Sequence, residues 1–294
     1  MKVIHRSLRE QEARERALVL TAMDIEHQLE RGWLSWRITV PRHEESRAQE
    51  QWRLYDLENT SGQSYRAEAT GRAVAREGAA VSTLCWVFVL IAVFTLQSRH
   101  VFGIDWVGLG RLDVGAIRSG EWWRAITALT LHVDAPHLMA NIGFGAVFGT
   151  LLGRAVGGGL AWFTILIGGT AGNLMNVAVQ RPEHTAIGAS TAVFAALGLY
   201  AAYLWTGRRL IRNSWARRLA PVVGAVMLLA WFGTGDERTD IVAHLTGFLA
   251  GFGIGALLGR LLQPGEPDAV RQWIFGASSL AALAAAWNLA LVFS

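Results

Sequence analysis

The chain has 294 residues, of which 52% are hydrophobic and only 17% are charged, and its formal net charge is +4. This is too apolar for an average soluble protein, and the apolar residues lie in long runs, so the composition predicts a polytopic membrane protein. The arginines lie between those runs rather than on one basic face, which argues against nucleic acid and for lipid headgroups as partners. The single cysteine, Cys85, excludes a disulfide framework and a multi-cysteine metal site.

Residues 1–60 are predicted to form a small cytosolic α+β lobe, followed by a linker at residues 61–77. Leu8 to Met23 has the apolar spacing of a helix, residues 33–40 alternate like a half-buried strand, and His43 to Leu57 reads as a second helix. A lobe of this size is near the lower limit for a stable core, so a regulatory tail without a fixed core is the alternative. In both forms it is a candidate surface for a cytosolic regulator.

Seven hydrophobic runs follow this lobe, and most approach the roughly twenty residues that a helix needs to cross a bilayer. They are residues 79–97, 131–152, 160–179, 186–205, 219–234, 241–259 and 272–293. Because a bilayer offers no hydrogen-bond partners to the backbone, each run is expected to be helical. The prediction is an all-α polytopic bundle of seven transmembrane helices, with six in a core at residues 78–262 and an extra C-terminal helix at 263–294.

The loops between the runs predict an orientation in the cell (inner) membrane. Five arginines lie within residues 206–218, and dense basic clusters in short loops favour the cytoplasmic side. Counting crossings from there places the N-terminal lobe in the cytoplasm and residues 236–240 outside. The long loop at 98–130 contains Trp106, Trp122 and Trp123, which favour the membrane interface, so we expect it to lie partly in the outer leaflet.

Four polar side chains interrupt three of these runs. They are His137, Asn141, Ser190 and His244. With Asp134, Thr185 and Asp240 taken as outer ends, a helical rise of about 1.5 Å per residue places all four roughly 5 to 10 Å below those ends. Ionisable groups inside a membrane usually face a cavity or the bundle interior, so the set predicts a nucleophilic Ser-His site. For any single histidine, an interhelical hydrogen bond is the alternative.

Small residues predict how two of these helices meet. Glycines recur every fourth residue from Gly247 to Gly259, after His244, and stripes of this kind let another helix approach closely. Gly188, Ala192 and Ala196 offer a matching face around Ser190. Packing the two faces together is expected to bring Ser190 towards His244, although ordinary helix packing uses the same spacing.

Four motifs, in this order, resemble the rhomboid family of intramembrane serine proteases over residues 79–260. The motifs are Glu121-Trp122-Trp123-Arg124, His132-x4-His137-x3-Asn141, Gly188-Ala189-Ser190 and Ala243-His244-x-x-Gly247-x-x-x-Gly251. Each motif alone is weak evidence, whereas all four in order are strong. The resemblance implies a rhomboid-like helical bundle, transmembrane segments of other proteins as substrates, and no metal or organic cofactor.

The resemblance also implies a role for each matching residue. Ser190 is expected to be the nucleophile and His244 its general base, in a dyad without a carboxylate. His137 and Asn141 would donate to the oxyanion beside the Ser190 amide. Structural support is expected from residues that match non-chemical family positions, namely His132, Trp123, Arg124, Gly188, Gly247 and Gly251.

Two departures from the family pattern bear on activity. Thr191 stands where glycine or alanine is usual, so its branched side chain is expected to crowd the oxyanion site. Phe194 stands where an aromatic residue, often tyrosine, packs on the histidine, so the stacking is kept and a hydroxyl is lost. Two other functions stay open: an inactive rhomboid-like protein that binds membrane helices, and a proton-linked transporter, which would need polar residues across the full bilayer depth.

Overall fold

The computed structural model describes residues 1–7, 10–32, 35–208, 215–232, 240–262 and 268–293. The chain divides into two compact units, Met1–Thr70 and Gly71–Ser294. Residues 209–214 of the arginine-rich loop and residues 236–239 of the outer loop, both of which bear on the predicted orientation, lie outside the described residues. The orientation in the membrane therefore stays a prediction.

The first unit combines one antiparallel sheet with helices. Its elements are β1 (Lys2–Ser7), α1 (Glu10–Ala22), β2 (Gln28–Arg31), β3 (Trp36–Val40), the 3-10 turn Arg42–Glu44 and the first residues of α2 (Glu45–Ser98). The strand order is β1-β3-β2, with Val40 opposite Lys2 on one side and Thr39 opposite Gln28 on the other. Pro41 ends β3 because proline lacks the N–H that a continuing strand would need.

A small hydrophobic core holds this unit together. It is formed by Ala17, Leu20, Ile25, Ile38, Val40, Ala48 and Trp52. The indole of Trp52 donates to the carbonyl oxygen of Arg16 at 3.0 Å, so the largest core side chain also satisfies its polar atom. The predicted α+β lobe is thus confirmed, while two of its strands, β1 and β2, were missed.

Helix α2 differs from the sequence prediction in length. The sequence predicts a helix ending at Leu57 and a linker at 61–77, whereas α2 is assigned as one helix, Glu45–Ser98. Its last 21 residues, Gly78–Ser98, form an apolar segment of membrane-spanning length. The glycines and polar residues that suggested a linker are therefore compatible with helical backbone.

Among the described residues, five helices are long and apolar enough to cross a membrane. They are Gly78–Ser98 of α2, α6 (Ala135–Val156), α7 (Gly158–Val179), α10 (Ile241–Leu261) and α11 (Ala269–Phe293). Helices α8 (Ser190–Arg208) and α9 (Trp215–Phe232) hold shorter apolar stretches, Ser190–Thr206 and Leu219–Trp231. The helical, multi-pass architecture is confirmed, and the count of seven spanning helices stays a prediction.

The long loop before α6 contains short elements. They are the 3-10 turn Val101–Gly103, α3 (Trp106–Gly110), β4 (Leu112–Asp113), α4 (Val114–Arg118), α5 (Arg124–Thr127) and the 3-10 turn Ala128–Thr130. Strand β4 pairs with β5 (Thr185–Ala186), which lies just before α8. Asp105 and Asp113 cap α3 and α4 by accepting from the amides of Gly108 and Ala116. This loop is thus a folded layer that contacts the segment leading to Ser190.

Helix α8 lies at the centre of the second unit and packs against α6, α7, α9 and α10. Its buried residues join those of α6 and α7 in one core, which includes Leu152, Trp162 and Leu199. Helix α11 packs against α7, and it meets the short helices α3 and α5 in a cluster that contains Trp106, Trp123 and Trp287. The bundle therefore places the start of α8 beneath the folded loop layer.

Candidate active site

A cavity of about 870 Å³ opens at the start of α8 and is lined by all four predicted polar groups. These are His137 and Asn141 from α6, Ser190 from α8 and His244 from α10. Aromatic and aliphatic side chains, among them Phe148 and Leu197, line the same space. An apolar cavity with a few converging polar groups is the usual form of a ligand or substrate site.

Ser190 lies at the first residue of α8, which corrects the sequence prediction. We expected a helix from about residue 186 with Ser190 one turn inside it, but residues 187–189 are not helical. Gly188 has a φ of +143°, a region that disfavours other residues, and this bend starts the helix at Ser190. The helical-rise estimate of the depth of Ser190 therefore had the wrong starting point, although the four groups do share one cavity.

Gly188 also brings His137 beside Ser190. A Cβ atom added to Gly188 would lie 2.8 Å from Cε1 and 3.0 Å from Nε2 of His137, and 3.6 Å from Oγ of Ser190. The imidazole of His137 and the hydroxyl of Ser190 thus both lie within 4 Å of the position that this Cβ atom would take. Because a methyl group at residue 188 would displace the ring, glycine is needed here both for conformation and for space.

The two amides that precede Ser190 are both used by the scaffold. The Gly188 N–H donates to the carbonyl oxygen of Ala128 at 3.0 Å, and the Ala189 N–H donates to Nε2 of His132 at 3.4 Å. The next N–H in the chain belongs to Ser190, in the first turn of α8, where helix geometry supplies no intrahelical acceptor. The positive end of the helix dipole lies at the same place and favours negative charge.

The sequence predicts His132 inside a hydrophobic span, but this residue lies before α6 begins at Ala135. Its side chain is fully buried, and its backbone N–H and carbonyl oxygen both bond to the side-chain amide of Gln97. Burial, and then the neighbouring His137 ring 5.2 Å away, lowers the pKa of His132 to about 3. A neutral ring is what Nε2 needs to accept from Ala189. These contacts support the predicted structural role.

His137 and Asn141 lie on successive turns of α6. Asp134 caps this helix by accepting from the His137 amide at 2.8 Å, which fixes where the first turn begins. The Asn141 amide nitrogen donates to the His137 carbonyl oxygen at 2.8 Å, and its side chain is 5% exposed. An amide nitrogen carries two N–H groups, so one more donor remains for a ligand in the cavity.

Helices α8 and α10 meet through the glycine stripe, but on a different face of α8 from the one that we predicted. Cβ atoms on Gly247, Gly251 and Gly255 would clash with the carbonyl oxygens of Thr191, Ala195 and Leu199, respectively. The predicted partners Ala192 and Ala196 instead belong to the core with α7, where Ala192 contacts Gly169. Gly188 lies before the first residue of α8, so it does not extend the face formed by Ala192 and Ala196.

Two contacts in the cavity wall involve residues that the sequence analysis named: Phe194 with His244, and Thr191 with Gly247. The Phe194 ring lies over His244 with the two centroids 4.4 Å apart, as expected for the aromatic at that position. The Thr191 methyl group packs between Gly172 and Gly247. A Cβ atom added to either glycine would lie 2.9 Å from that methyl carbon. Its branched side chain is thus accommodated by two glycines on neighbouring helices.

The loop residues Arg124 and Trp123 lie outside the cavity wall and hold the loop layer. Arg124 is 7% exposed, pairs with Glu121 at 2.6 Å and donates to the carbonyl oxygens of Gly108 and Arg111. Trp123 is buried in the cluster with α11. These contacts are compatible with the supporting role that the resemblance implies for both residues.

Sequence reasoning missed a polar group in the cavity wall. We took Asp240 only as the outer end of a span, whereas Asp240 and His184 both line the cavity, and His184 Nε2 lies 2.8 Å from Oδ2 of Asp240. The fully buried Asn176 of α7 donates to the same oxygen at 2.8 Å. The signal available in the sequence was the position of Asp240 directly before a hydrophobic run, which is typical of a helix cap.

The fold and this cavity define a multi-pass helical membrane protein with serine and histidine side chains in a shared pocket. A family model described as the Rhomboid domain matches residues 119–261. RHOMBOID-like protein 5 of Arabidopsis thaliana is 32% identical over 53% of this chain and 50% of its own length. Rhomboid protease GluP of Bacillus subtilis is 28% identical over 52% and 29%, and Rhomboid-like protease 1 of Toxoplasma gondii is 28% identical over 63% and 64%.

Residues 119–261, about half of the chain, thus carry a Rhomboid domain, as the motifs indicate. The matched segments cover less than two thirds of each of these three relatives. The matching domain contains the whole cavity-lining set from His137 to His244. Two of the three relatives are named as proteases.

Proposed function

We propose that the chain is an intramembrane serine endopeptidase that hydrolyses a peptide bond in or near the transmembrane segment of another membrane protein. The observation that supports this most directly is the position of Ser190 and His244 in the wall of one cavity. The backbones of α8 and α10 touch at Thr191 and Gly247, one residue after the serine and three after the histidine. The protease names of relatives agree with this function.

In the proposed reaction, Oγ of Ser190 attacks the carbonyl carbon of the scissile bond while the imidazole of His244 accepts the hydroxyl proton. His244 then gives that proton to the leaving nitrogen, the C–N bond breaks, and the new amino terminus departs. The acyl group stays on Ser190. A water molecule, deprotonated by His244, attacks the acyl carbon, and the proton returns to Oγ as the carboxylic acid is released.

The oxyanion formed in each half of the reaction needs donors that are already in place. The Ser190 amide, at the positive end of α8, is one such donor, and Gly188 and Ala189 already use their amides elsewhere. His137 lies beside Ser190 through the contact at Gly188, and Asn141 follows one turn below. We therefore assign His137 and Asn141 as the side-chain donors.

The proposal includes the substrate and the membrane. A regular helix hides its carbonyls in hydrogen bonds, so a substrate segment must unwind locally, and glycine or proline near the cut favours this. The N-terminal lobe, residues 1–60, is assigned to the cytoplasm and joined by residues 61–77 to the core at 78–262, with the extra helix at 263–294. The site then faces the outer side of the cell (inner) membrane, since the arginines favour the opposite side.

A fluorophosphonate probe, which labels activated serines, tests the function directly. The purified full chain in detergent is expected to label, while Ser190→Ala and His244→Ala are expected to lose labelling. Ser279→Ala is the matched control, because Ser279 is another helical serine, bonded to the carbonyl oxygen of Phe275 at 3.0 Å. Equal labelling of wild type and Ser190→Ala would remove Ser190 as the nucleophile.

Cleavage of a single-span model substrate in liposomes completes the test. The protease is expected to release two fragments that depend on Ser190. A helix-binding protein without activity would retain the substrate uncut in both wild type and Ser190→Ala. That result, with folded protein and no labelling, would favour the inactive rhomboid-like alternative.

A further inference from the structure

The side-chain carboxylate of Asp240 makes hydrogen bonds with three segments around the cavity: α10, α7 and the connection between α7 and α8. Its Oδ1 accepts from the Ala243 amide at 2.9 Å and so caps α10. Its Oδ2 accepts from Asn176 of α7 and from His184 of the α7–α8 connection, each at 2.8 Å. Hydrogen bonds to an ionised carboxylate are stronger and more directional than those between neutral groups.

The two segments joined in this way carry the two proposed reacting residues. The His244 N–H donates to the carbonyl oxygen of Asp240 at 3.1 Å, so Asp240 begins the turn that holds the imidazole. His184 lies directly before β5, which leads through Gly188 to Ser190. The contact between Asp240 and His184 thus links the segment before the serine to the segment before the histidine.

The surroundings hold this link in one geometry. Asn176 is fully buried, and the Asp240 and His184 side chains are 15% and 25% exposed. The His184 carbonyl oxygen accepts from Val114 of the loop layer at 3.2 Å, which anchors the backbone at that residue. Because Nε2 faces a carboxylate oxygen, this nitrogen carries the proton and donates it to the bond.

We propose that Asp240, His184 and Asn176 form a positioning network that fixes His244 relative to Ser190. The three side chains are positioning residues that act through the helix start and the β5 segment. This inference rests on the proposed protease function. Displacements of about 1 Å in such a pair reduce rates by up to about 100-fold, so loss of the link is expected to slow the chemistry more than substrate binding.

Asp240→Asn is the most informative variant. An asparagine at residue 240 has a single acceptor oxygen, which can serve either the Ala243 amide or the side chains of Asn176 and His184. Its NH2 group then faces whichever of these donors the oxygen does not serve. We expect the rate of fluorophosphonate labelling and the kcat for substrate cleavage each to fall about 10-fold to 100-fold. The KM for the substrate is expected to change less than about threefold. Asp105→Asn is the matched control, because Asp105 caps α3 in the same way, outside the cavity.

Two variants of His184 separate positioning from general stability. His184→Gln retains an N–H donor of similar reach and is expected to label within about threefold of the wild-type rate, whereas His184→Ala is expected to lose about tenfold. The double variant Asp240→Asn with His184→Ala is expected to lose no more than the stronger single variant, since both break one link. The exposed His43→Ala is the histidine control.

The outcomes are distinct. If Asp240→Asn and His184→Ala melt at lower temperature but the folded protein labels at the wild-type rate, the network is structural and the inference is wrong. Multiplicative losses in the double variant, or no rescue by His184→Gln, would also overturn it. If the wild type itself shows no Ser190-dependent labelling, the proposed function fails first, and this inference fails with it.

Discussion

The indole nitrogen of Trp287 donates to the hydroxyl oxygen of Thr130 at 3.2 Å, and both side chains are buried. Trp287 belongs to α11, the helix to which sequence reasoning assigned no chemistry, and Thr130 ends the turn that begins at Ala128. The Ala128 carbonyl oxygen in turn accepts from Gly188, two residues before Ser190. The last helix is therefore connected to the site through one turn of the loop layer.

Trp287→Phe tests this connection by removing the donor while keeping most of the ring. We expect a loss of about 1 kcal/mol in unfolding free energy, as for a typical buried hydrogen bond. For a protein of this size that corresponds to a fall in Tm of roughly 2 to 4 °C, measured by thermal unfolding in detergent. Trp273→Phe on the same helix is the control, since Trp273 is 76% exposed. Equal melting of the two variants would argue against the connection.

Gly247→Ala is expected to separate α8 from α10. The new methyl group would clash with the Thr191 carbonyl oxygen, and overpacking of this kind destabilises by about 1 to 3 kcal/mol. Because that contact lies next to Ser190 and His244, labelling is expected to fall at least about tenfold, in line with a misplacement of about 1 Å. Gly253→Ala is the control on the same helix, where an added Cβ meets nothing within 4 Å. Wild-type labelling of Gly247→Ala would contradict the role given to this contact.

The spacing of the motifs was sufficient to predict that His137, Asn141, Ser190 and His244 meet. It places each residue at a similar distance from the outer end of its hydrophobic run, and all four line one cavity. It was not sufficient to orient α8. The start of that helix depends on the bend at Gly188 and on the hydrogen bonds that the amides of residues 188 and 189 donate to Ala128 and His132, about sixty residues earlier in the chain. Long-range contacts of this kind leave no periodic signal.

The same reason explains what was missed around the site. Asp240 reads as a helix cap from the sequence, but its bonds to Asn176 and His184 depend on how three segments meet. The sequence alone does not reveal that Gly172 and Gly247 flank the Thr191 side chain, and the crowding of the oxyanion site stays a prediction. The side chains that meet in the cavity were therefore predictable, and the neighbours that complete each group were not.

Asn141→Ala tests the oxyanion assignment. The side-chain amide of Asn141 donates to the carbonyl oxygen of His137 on the same helix, so removing it is expected to change Tm little. Turnover of the model substrate is expected to fall about 100-fold, as for loss of one oxyanion donor. Asn288→Ala, on an exposed part of α11, is the control for expression and handling. A folded Asn141→Ala variant with wild-type turnover would remove this residue from the assignment.

His132 predicts how stability depends on pH. Burial, and then the nearby His137, lowers its pKa from 6.5 to about 3, so the unfolded chain takes up a proton first as the pH falls. The contribution of His132 to stability is therefore complete above about pH 6.5 and declines from there towards pH 3. Thermal unfolding between pH 7 and pH 4 is expected to show a shallower loss of Tm for His132→Gln, whose carbonyl oxygen still accepts from Ala189. The exposed His43→Gln should keep the wild-type slope, and parallel curves for all three proteins would contradict the buried, neutral state of His132.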